Sequence, residues 1–298
     1  MVPKIAVVEV PQWRGSGSRT AERLRDGARI VADLAWEAAT ARDGLAGGQQ
    51  QPPPVARVGV TVDDESLAAT AAAVRAALAE VADDAVVVTV GGDCGVELEP
   101  VAAARKRHGE RLVVVWLDAH GDLNTPRSSP SGAYHGMVLR ALTGEGPEGL
   151  VAEVPVEPGR IVLAGVRDLD PPEESFVESA GIRWVRMAET ATPEALLREI
   201  EAAGGPDAAV YVHIDLDVLD PEIFRGVGCP TPGGMHPERL LSSVAAVAGR
   251  FEVAGLGLME YEAGGSADER DEERKLLAGL VGGLVEAVAG QPGRTVPR

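Results

Sequence analysis

The sequence predicts an α/β fold in which helices cover both faces of a mostly parallel sheet of about eight strands. Eight short runs rich in Val, Ile and Leu alternate with longer stretches rich in Ala, Leu, Glu and Arg. Such alternation implies parallel strands joined by right-handed crossovers, and therefore a three-layer α/β/α sandwich. The strand runs are almost continuously apolar, which is typical of strands covered on both faces.

The predicted strands are Lys4–Val10, Ala56–Val60, Ala85–Val90, Arg111–Leu117, Arg160–Ala164, Ile182–Met187, Ala209–Ile214 and Val253–Leu258. Helical patterns cover Arg19–Arg42, Leu67–Val81, Val96–Arg107, Pro193–Ala203, Pro237–Ala248 and Asp271–Ala289. Residues 1–298 are predicted to form one domain. Glycines, glutamines and prolines predict a flexible loop over residues 44–54, and residues 291–298 a disordered tail.

Charge and composition exclude several classes of function. The net charge is −18, whereas a protein that binds nucleic acid needs a basic face. A negative surface favours solubility and can attract a cationic substrate. No apolar run approaches the roughly 20 residues of a membrane span, and two cysteines make no disulfide framework. We therefore expect a cytoplasmic protein that binds neither nucleic acid nor membrane.

Acidic clusters directly follow two of the predicted strands. Asp118, His120 and Asp122 follow one strand, and Asp215 and Asp217 follow another. Side chains alternate along extended backbone, so each cluster can point to one side. A single Asp-x-Asp is more often a solvated loop or a turn. In a parallel sheet, however, the carboxyl ends of the strands converge on one crevice. The two clusters together predict a cage for two divalent cations and metal-assisted hydrolysis.

Several motifs, in sequence order, resemble the ureohydrolase family, which includes arginases, agmatinases and formiminoglutamases. The matching segments are Gly91-Gly92-Asp93-Cys94, Asp118-Ala119-His120-Gly121-Asp122-Leu123-Asn124, Ser131-Gly132-Ala133-Tyr134-His135-Gly136, Asp215-Leu216-Asp217-Val218-Leu219-Asp220-Pro221 and Met259-Glu260. Each motif alone is weak to moderate evidence, but the ordered set is specific. The resemblance covers most of the chain.

The resemblance implies two manganese ions and assigns a ligand set. One ion would be held by Cys94, Asp118, Asp122 and Asp215, and the other by His120, Asp118, Asp215 and Asp217. Asp122 would also orient the attacking water and relay its proton, and His135 would exchange protons with solvent. Glu260 would pair with the guanidinium of the substrate. The alternative for His135 is packing at a helix start.

The resemblance also implies a guanidino amino acid as substrate. Arg167-Asp168-Leu169-Asp170-Pro171 resembles an arginase element in which the second aspartate, here Asp170, binds the α-ammonium group. Asn124 and Ser131 stand at positions that contact the α-carboxylate, which agmatine lacks. For Asp170 the alternative is a turn residue before proline. His213, two residues before Asp215, is expected to pack behind the ligands or in the core.

Three residues depart from the family pattern. Cys94 stands in place of a metal-binding His, Ala133 in place of an Asn that holds the head group, and Cys229 in place of a Thr close to the guanidinium. A thiolate adds negative charge, which weakens the Lewis acidity of the ions and favours softer metals. We therefore keep N-hydroxyarginine, a less basic guanidine, as an alternative substrate. The alternative is that Cys94 is only a small buried residue, and that one of the two metal ions is bound more weakly.

Two further hypotheses compete with the hypothesis of an arginase-like enzyme. A metal-dependent deacetylase would share the general fold but bind one zinc ion per chain. A degenerate, non-catalytic or weakly active homologue would explain Cys94 and Ala133, although His135, Glu260 and the family's aspartates are retained. The resemblance also implies a homo-oligomer, either a trimer or a hexamer.

Overall fold

The computed structural model describes residues 4–45, 55–186 and 192–291. The strands in these ranges are β1 Lys4–Val10, β2 Val55–Gly59, β3 Ala85–Gly91, β4 Leu112–Leu117, β5 Ile161–Ala164, β6 Arg183–Val185, β7 Ala209–Asp215 and β8 Glu252–Met259. They form one sheet in the order β2-β1-β3-β8-β7-β4-β5-β6. Every described pairing is parallel, which confirms the predicted sheet.

The α-helices of the same ranges are α1 Leu24–Leu45, α2 Leu67–Ala79, α3 Leu98–His108, α4 Val138–Leu142, α5 Pro171–Ala180, α6 Pro193–Gly204, α7 Pro237–Arg250 and α8 Ala267–Ala289. Apolar side chains of α1, α6, α7 and α8 share one core cluster with the sheet. Side chains of α2, α3, α4 and α5 share the other. Two separate cores on the two faces of the sheet confirm the three-layer sandwich. None of the described helices has the length and apolar character needed to cross a bilayer.

The boundaries differ from the predicted ones in a few places. α1 begins at Leu24 and not at Arg19, because Ala21–Arg23 forms a separate 3-10 turn. It then continues to Leu45, so the first two residues of the predicted loop 44–54 are helical, and residues 46–54 lie outside the described ranges. β6 is shorter than the predicted strand, whose last residue, Met187, also lies outside them.

The predicted tail begins with an ordered contact. The side chain of Gln291 accepts a hydrogen bond of 2.7 Å from the backbone N–H of Val253. Residues 292–298 lie outside the described part of the chain. The sequence analysis also missed α4 and α5, which are only 5 and 10 residues long. Both helices lie on the face of the sheet that carries α3, beside the candidate site.

A row of four residues crosses the centre of the sheet just below the carboxyl ends of its strands. Thr89 in β3 pairs with Gly257 in β8, which pairs with His213 in β7, and His213 pairs with Trp116 in β4. The missing side chain at Gly257 leaves room for the carboxylate of Glu97, because a Cβ there would overlap that carboxylate. The glycine therefore determines whether a carboxylate fits over the middle of the sheet.

We expect Gly257→Ala to destabilise the protein by about 1–3 kcal/mol, the usual cost of overpacking a core. Glu97 is fully buried, so it cannot move aside into solvent. Differential scanning calorimetry should show a melting temperature lowered by several degrees. Gly279→Ala is the matched control: a Cβ at Gly279, inside α8, meets nothing within 4 Å. That variant should be as stable as the parent or slightly more stable. Equal stability of Gly257→Ala and the parent would contradict this account of Glu97.

Candidate metal centre and substrate cleft

The candidate site lies at the carboxyl ends of the four central strands, β3, β8, β7 and β4. The segments that follow β3, β8 and β4 carry Cys94, Glu260 and Asp118, and Asp215 is the last residue of β7. Because all four strands run in the same direction, residues far apart in the chain meet at one edge of the sheet. The structure therefore brings together the clusters that the sequence analysis placed in one crevice.

Asp118, His120 and Asp217 form one side of the cluster. The Nδ1 atom of His120 lies 2.9 Å from Oδ2 of Asp217 and 3.5 Å from Oδ1 of Asp118. The backbone N–H of Ala119 donates to Oδ1 of Asp217 over 3.1 Å, and the indole N–H of Trp116 donates to Oδ2 of Asp118 over 2.9 Å. These bonds orient both carboxylates toward His120, so the three side chains can share one cation.

Cys94, Asp215 and Glu260 form the other side. The Sγ atom of Cys94 lies 3.2 Å from Oδ2 of Asp215, whose Oδ1 accepts a 2.7 Å bond from the N–H of Asp217. Oε1 of Glu260 accepts a 3.0 Å bond from the backbone N–H of Cys94. The donor atoms of these three residues also lie close enough to share a cation. Glu260, which was predicted to face the substrate, therefore also borders this group of candidate metal ligands.

Three acids of the cluster, Asp122, Asp215 and Asp217, resist ionisation in the metal-free chain. Burial, together with the negative charges of neighbouring carboxylates, raises the pKa of Asp122 and of Asp215 well above the ordinary value. The same two causes raise the pKa of Asp217 to about 6 and that of the Cys94 thiol well above its usual range. Burial also opposes ionisation of Asp118, but His120 and His213 outweigh it and lower that pKa.

The backbone conformations of Asp122 and Glu260 are unusual. Asp122 has φ 52° and Glu260 has φ 64°, in the left-handed region that residues other than glycine rarely adopt. The N–H of Glu260 donates to the carbonyl of Gly92 over 2.7 Å, and the carbonyl of Asp122 accepts from the N–H of Arg140 over 3.1 Å. These are the two non-glycine residues of the described ranges with positive φ. Their position at one site indicates that strain is retained there for function.

The donor set fits a pair of divalent cations. Oδ2 of Asp122 is buried and has no hydrogen-bond partner among the described residues. Buried acids that repel one another are stabilised when a cation neutralises them, which accounts for this concentration of carboxylates. Oxygen donors predominate, with imidazoles from His120 and His213 and one thiol from Cys94. Such a set suits divalent transition metals, and the sulfur shifts the preference toward softer ones.

A cleft of about 220 Å³ leads from solvent to the cluster. His135 lies at its side: Nδ1 is 3.1 Å from Oε1 of Glu260, and the N–H of Gly17 donates to Nε2 over 3.3 Å. Burial favours the neutral ring, but the charge of Glu260 outweighs it and raises the pKa of His135 to about 8. Both protonation states are therefore accessible near neutral pH, as a proton shuttle requires.

The predicted substrate-binding residues Asn124, Ser131, Asp170 and Cys229 all line this cleft. Asp170 directly precedes α5, and its backbone N–H donates to Oε2 of Glu173 over 2.9 Å. The side-chain amide of Asn124 donates to Oδ2 of Asp170 over 2.8 Å. Asp170 therefore starts a helix and also presents a carboxylate to the cleft. Burial raises the pKa of Cys229 to about 11, so its thiol stays protonated.

The role of Arg167 was not foreseen from the sequence. Its guanidinium donates to the carbonyl oxygens of Asp217 over 2.9 Å, Thr231 over 2.7 Å and Pro232 over 3.1 Å. These bonds join the segment after β7 to the loop that carries Cys229. The carbonyl acceptors belong to the backbone, so no side-chain motif in the sequence indicates them. Arg167 therefore supports one wall of the cleft without lining it.

We expect Arg167→Lys to destabilise the protein by about 1–3 kcal/mol. A lysine cannot reproduce the fork of donors and leaves the part-buried carbonyls of Asp217 and Thr231 unpaired. The measurement is chemical denaturation of the metal-free protein. Arg29→Lys is the control, since Arg29 is exposed and pairs only with Asp26 in the described contacts. A loss of stability equal in the two variants would show that Arg167 does not hold the loop.

Comparison with known proteins identifies the family of the chain. The model of the arginase family matches residues 26–281, which include every motif described above. The chain belongs to the arginase family. Among the relatives of this arginase-family chain, an arginase of Staphylococcus aureus (strain COL) is 36% identical over 178 residues, or 54% of this chain. The aligned part spans 59% of that arginase.

Two other relatives of this arginase-family chain align over more of its length. The N(omega)-hydroxy-L-arginine amidinohydrolase of Streptomyces lavendulae is 31% identical over 224 residues, covering 75% of this chain and 78% of that protein. The structure of the arginase from Bacillus caldovelox superposes with a TM-score of 0.78 at 26% identity, covering 95% of this chain and 98% of the other. The arginase-like fold expected from the motifs is thereby confirmed.

Proposed function

We propose that this chain is a metal-dependent hydrolase that cleaves the guanidino group of arginine, or of a close arginine derivative, releasing urea or a urea analogue. The observation that carries the proposal is the cleft, which is bordered both by the acid cluster and by Asp170 and Asn124. A guanidino amino acid has a cationic group at one end and an amino-acid head group at the other. The net charge of −18 favours such a cationic substrate.

The proposal includes two divalent ions, for which we expect Mn²⁺. Their ligands are Cys94, Asp118, Asp122 and Asp215 for one ion, and His120, Asp118, Asp215 and Asp217 for the other. When bound, the ions supply Lewis-acid activation of the attacking water. Membership of the arginase family and the raised pKa values of Asp122 and Asp215 support this assignment.

The remaining chemistry belongs to side chains of the cleft. Glu260 pairs with the planar guanidinium and so holds the carbon that water attacks. Asp122 takes a proton from the water and passes it to the leaving amine, and the C–N bond breaks. His135 then exchanges a proton with solvent, for which its pKa of about 8 is suitable.

N-hydroxyarginine is a second candidate substrate. Cys94 is the observation in its favour, because a thiolate ligand lowers the Lewis acidity of the ions, and a less basic guanidine needs less activation. The relative from Streptomyces lavendulae whose name specifies this substrate supports the same choice. The product would then be hydroxyurea in place of urea, with ornithine formed in both cases.

The test measures the amine product released by the manganese-loaded protein, with metal analysis of the same sample. That product is ornithine from arginine or N-hydroxyarginine and putrescine from agmatine. We expect turnover of arginine or N-hydroxyarginine and much slower turnover of agmatine, which lacks the α-carboxylate. A large preference for arginine over N-hydroxyarginine would exclude the second candidate. One ion per chain would favour the deacetylase reading, and no turnover with two bound ions would favour a non-catalytic homologue.

The proposal extends to a homo-oligomer, a trimer or a hexamer, in the cytoplasm. Light scattering on the eluate of a size-exclusion column distinguishes these assemblies from a monomer.

A further inference from the structure

His213 is the most enclosed imidazole near the site. It lies in β7 two residues before Asp215, so its side chain projects to the same face of the sheet. The residue is fully buried, and its ring stacks on the indole of Trp116 with centroids 3.5 Å apart and planes inclined by 17°. The stacking fixes the plane of the ring, so its two nitrogens point in defined directions.

The Nε2 end of the ring points at two candidate metal ligands, Cys94 and Asp118. It lies 3.7 Å from Sγ of Cys94 and 3.8 Å from Oδ2 of Asp118. The second distance is too long for a hydrogen bond. A tetrahedral ion with bonds of about 2.0 Å to nitrogen and 2.3 Å to sulfur holds these two atoms about 3.5 Å apart. The spacing therefore resembles that of two ligands of one ion.

The Nδ1 end points at a buried carboxylate. It lies 3.9 Å from Oε2 of Glu97. Neither this nitrogen nor either carboxylate oxygen has a hydrogen-bond partner of good geometry among the described residues. Burial raises the pKa of Glu97 to about 8, although the Tyr211 hydroxyl also faces this carboxyl. A buried carboxyl without a hydrogen bond of good geometry is costly, so its retention above Gly257 needs a reason. A carboxylate behind a metal-binding histidine is a common arrangement that fixes the orientation of the ring.

We propose that His213 is a nitrogen ligand of the ion held by Cys94 and Asp118, and that Glu97 is a positioning residue that orients its ring. This inference rests on the metal dependence included in the proposed function. It replaces the expectation that His213 only packs behind the ligands. The imidazole that Cys94 displaces from the segment after β3 is then supplied by the neighbouring strand β7, and the ion keeps one nitrogen donor beside the sulfur.

The first experiment measures binding of Co²⁺ and Mn²⁺ by calorimetry to the full chain and to His213→Gln, which keeps the bulk of the side chain. We expect one of the two ions to bind at least about 100-fold more weakly, and Glu97→Gln to weaken the same ion about tenfold. His236→Gln is the matched control, because His236 is exposed. Wild-type affinity for both ions in His213→Gln would overturn the proposal.

The second experiment uses the wild-type protein and so does not depend on the folding of a variant. X-ray absorption of the zinc-loaded protein counts imidazole nitrogens per pair of ions. We expect two, from His120 and His213, and a count of one would overturn the assignment. A protein with two imidazoles and two ions that releases no ornithine would overturn the proposed hydrolysis and leave this ligand assignment in place.

Discussion

Asp215→Asn is expected to lower the rate of ornithine release at least about 1000-fold, because losing several kcal/mol of metal-assisted stabilisation corresponds to a factor of that size. One oxygen of Asp215 approaches Cys94 and the other accepts from the N–H of Asp217. The carboxylate thus lies between the two halves of the cluster. Metal analysis should show that the variant retains fewer than two ions after dialysis.

The same substitution should stabilise the metal-free protein at alkaline pH. Burial, reinforced by Asp217, Asp118 and Glu260, raises the pKa of Asp215 in the folded chain. A carboxyl of this kind contributes stability that is complete below its unfolded pKa of about 4 and is lost as the pH rises through the folded value. At about pH 8 the metal-free variant should therefore melt above the wild type, by roughly 2–4 °C per kcal/mol gained. The difference should vanish near pH 4.

Asp26→Asn provides the comparison, since Asp26 is an exposed residue of α1 that pairs with Arg29. It should change neither metal content nor the pH dependence of melting. Full activity of Asp215→Asn would contradict the proposed pair of metal ions. An unchanged pH dependence would contradict only the electrostatic account of the metal-free cluster.

Cys94→Ser should weaken zinc and cobalt binding by about 100-fold and manganese binding much less, because softer ions gain most from a thiolate. Burial, together with four neighbouring acids, raises the pKa of the Cys94 thiol, so an ion must displace its proton. Metal affinity should therefore rise with pH in the wild type, and more weakly in the serine variant. Cys94→His should instead raise manganese occupancy and the rate of hydrolysis.

Cys229→Ser is the matched control for these measurements. Cys229 lines the cleft but is absent from the donor groups of the described residues, so its loss should leave metal affinity unchanged. If Cys94→Ser keeps the wild-type ratio of zinc to manganese affinity, Cys94 is not a ligand. If Cys94→His brings no gain in occupancy or rate, the thiol is not what limits manganese binding.

The fold could be predicted from the sequence because the buried strands are almost continuously apolar, and helices of ordinary length separate most of them. α4 and α5 escaped prediction for different reasons. Five residues of α4 carry no helical period. α5 begins with two prolines after Asp170, a pattern that also describes a turn. Its N-terminal prolines are well tolerated at the first turn of a helix, where no backbone donor is lost.

The meeting of the acids could be predicted because they lie at or just after the ends of strands, which makes their convergence a matter of topology. The contacts behind these acids could not be predicted from the sequence. Glu97 meets His213 only because the register places Gly257 beside His213, and register is invisible in a linear pattern. Arg167 binds backbone carbonyls, which every residue possesses. The positive φ of Asp122 and Glu260 has no signal either, because neither residue is a glycine.

The sheet order has a consequence for how the protein is made. β8, the last strand of the described chain, lies between β3 and β7 at the centre of the sheet. A ribosome-bound chain that lacks β8 cannot join its two halves, because the gap between β3 and β7 is filled only by residues 252–259. Pairings between segments so distant in sequence form slowly. Glu260 directly follows β8, so the group of Cys94, Asp215 and Glu260 is completed only late in synthesis, when this strand has joined the sheet.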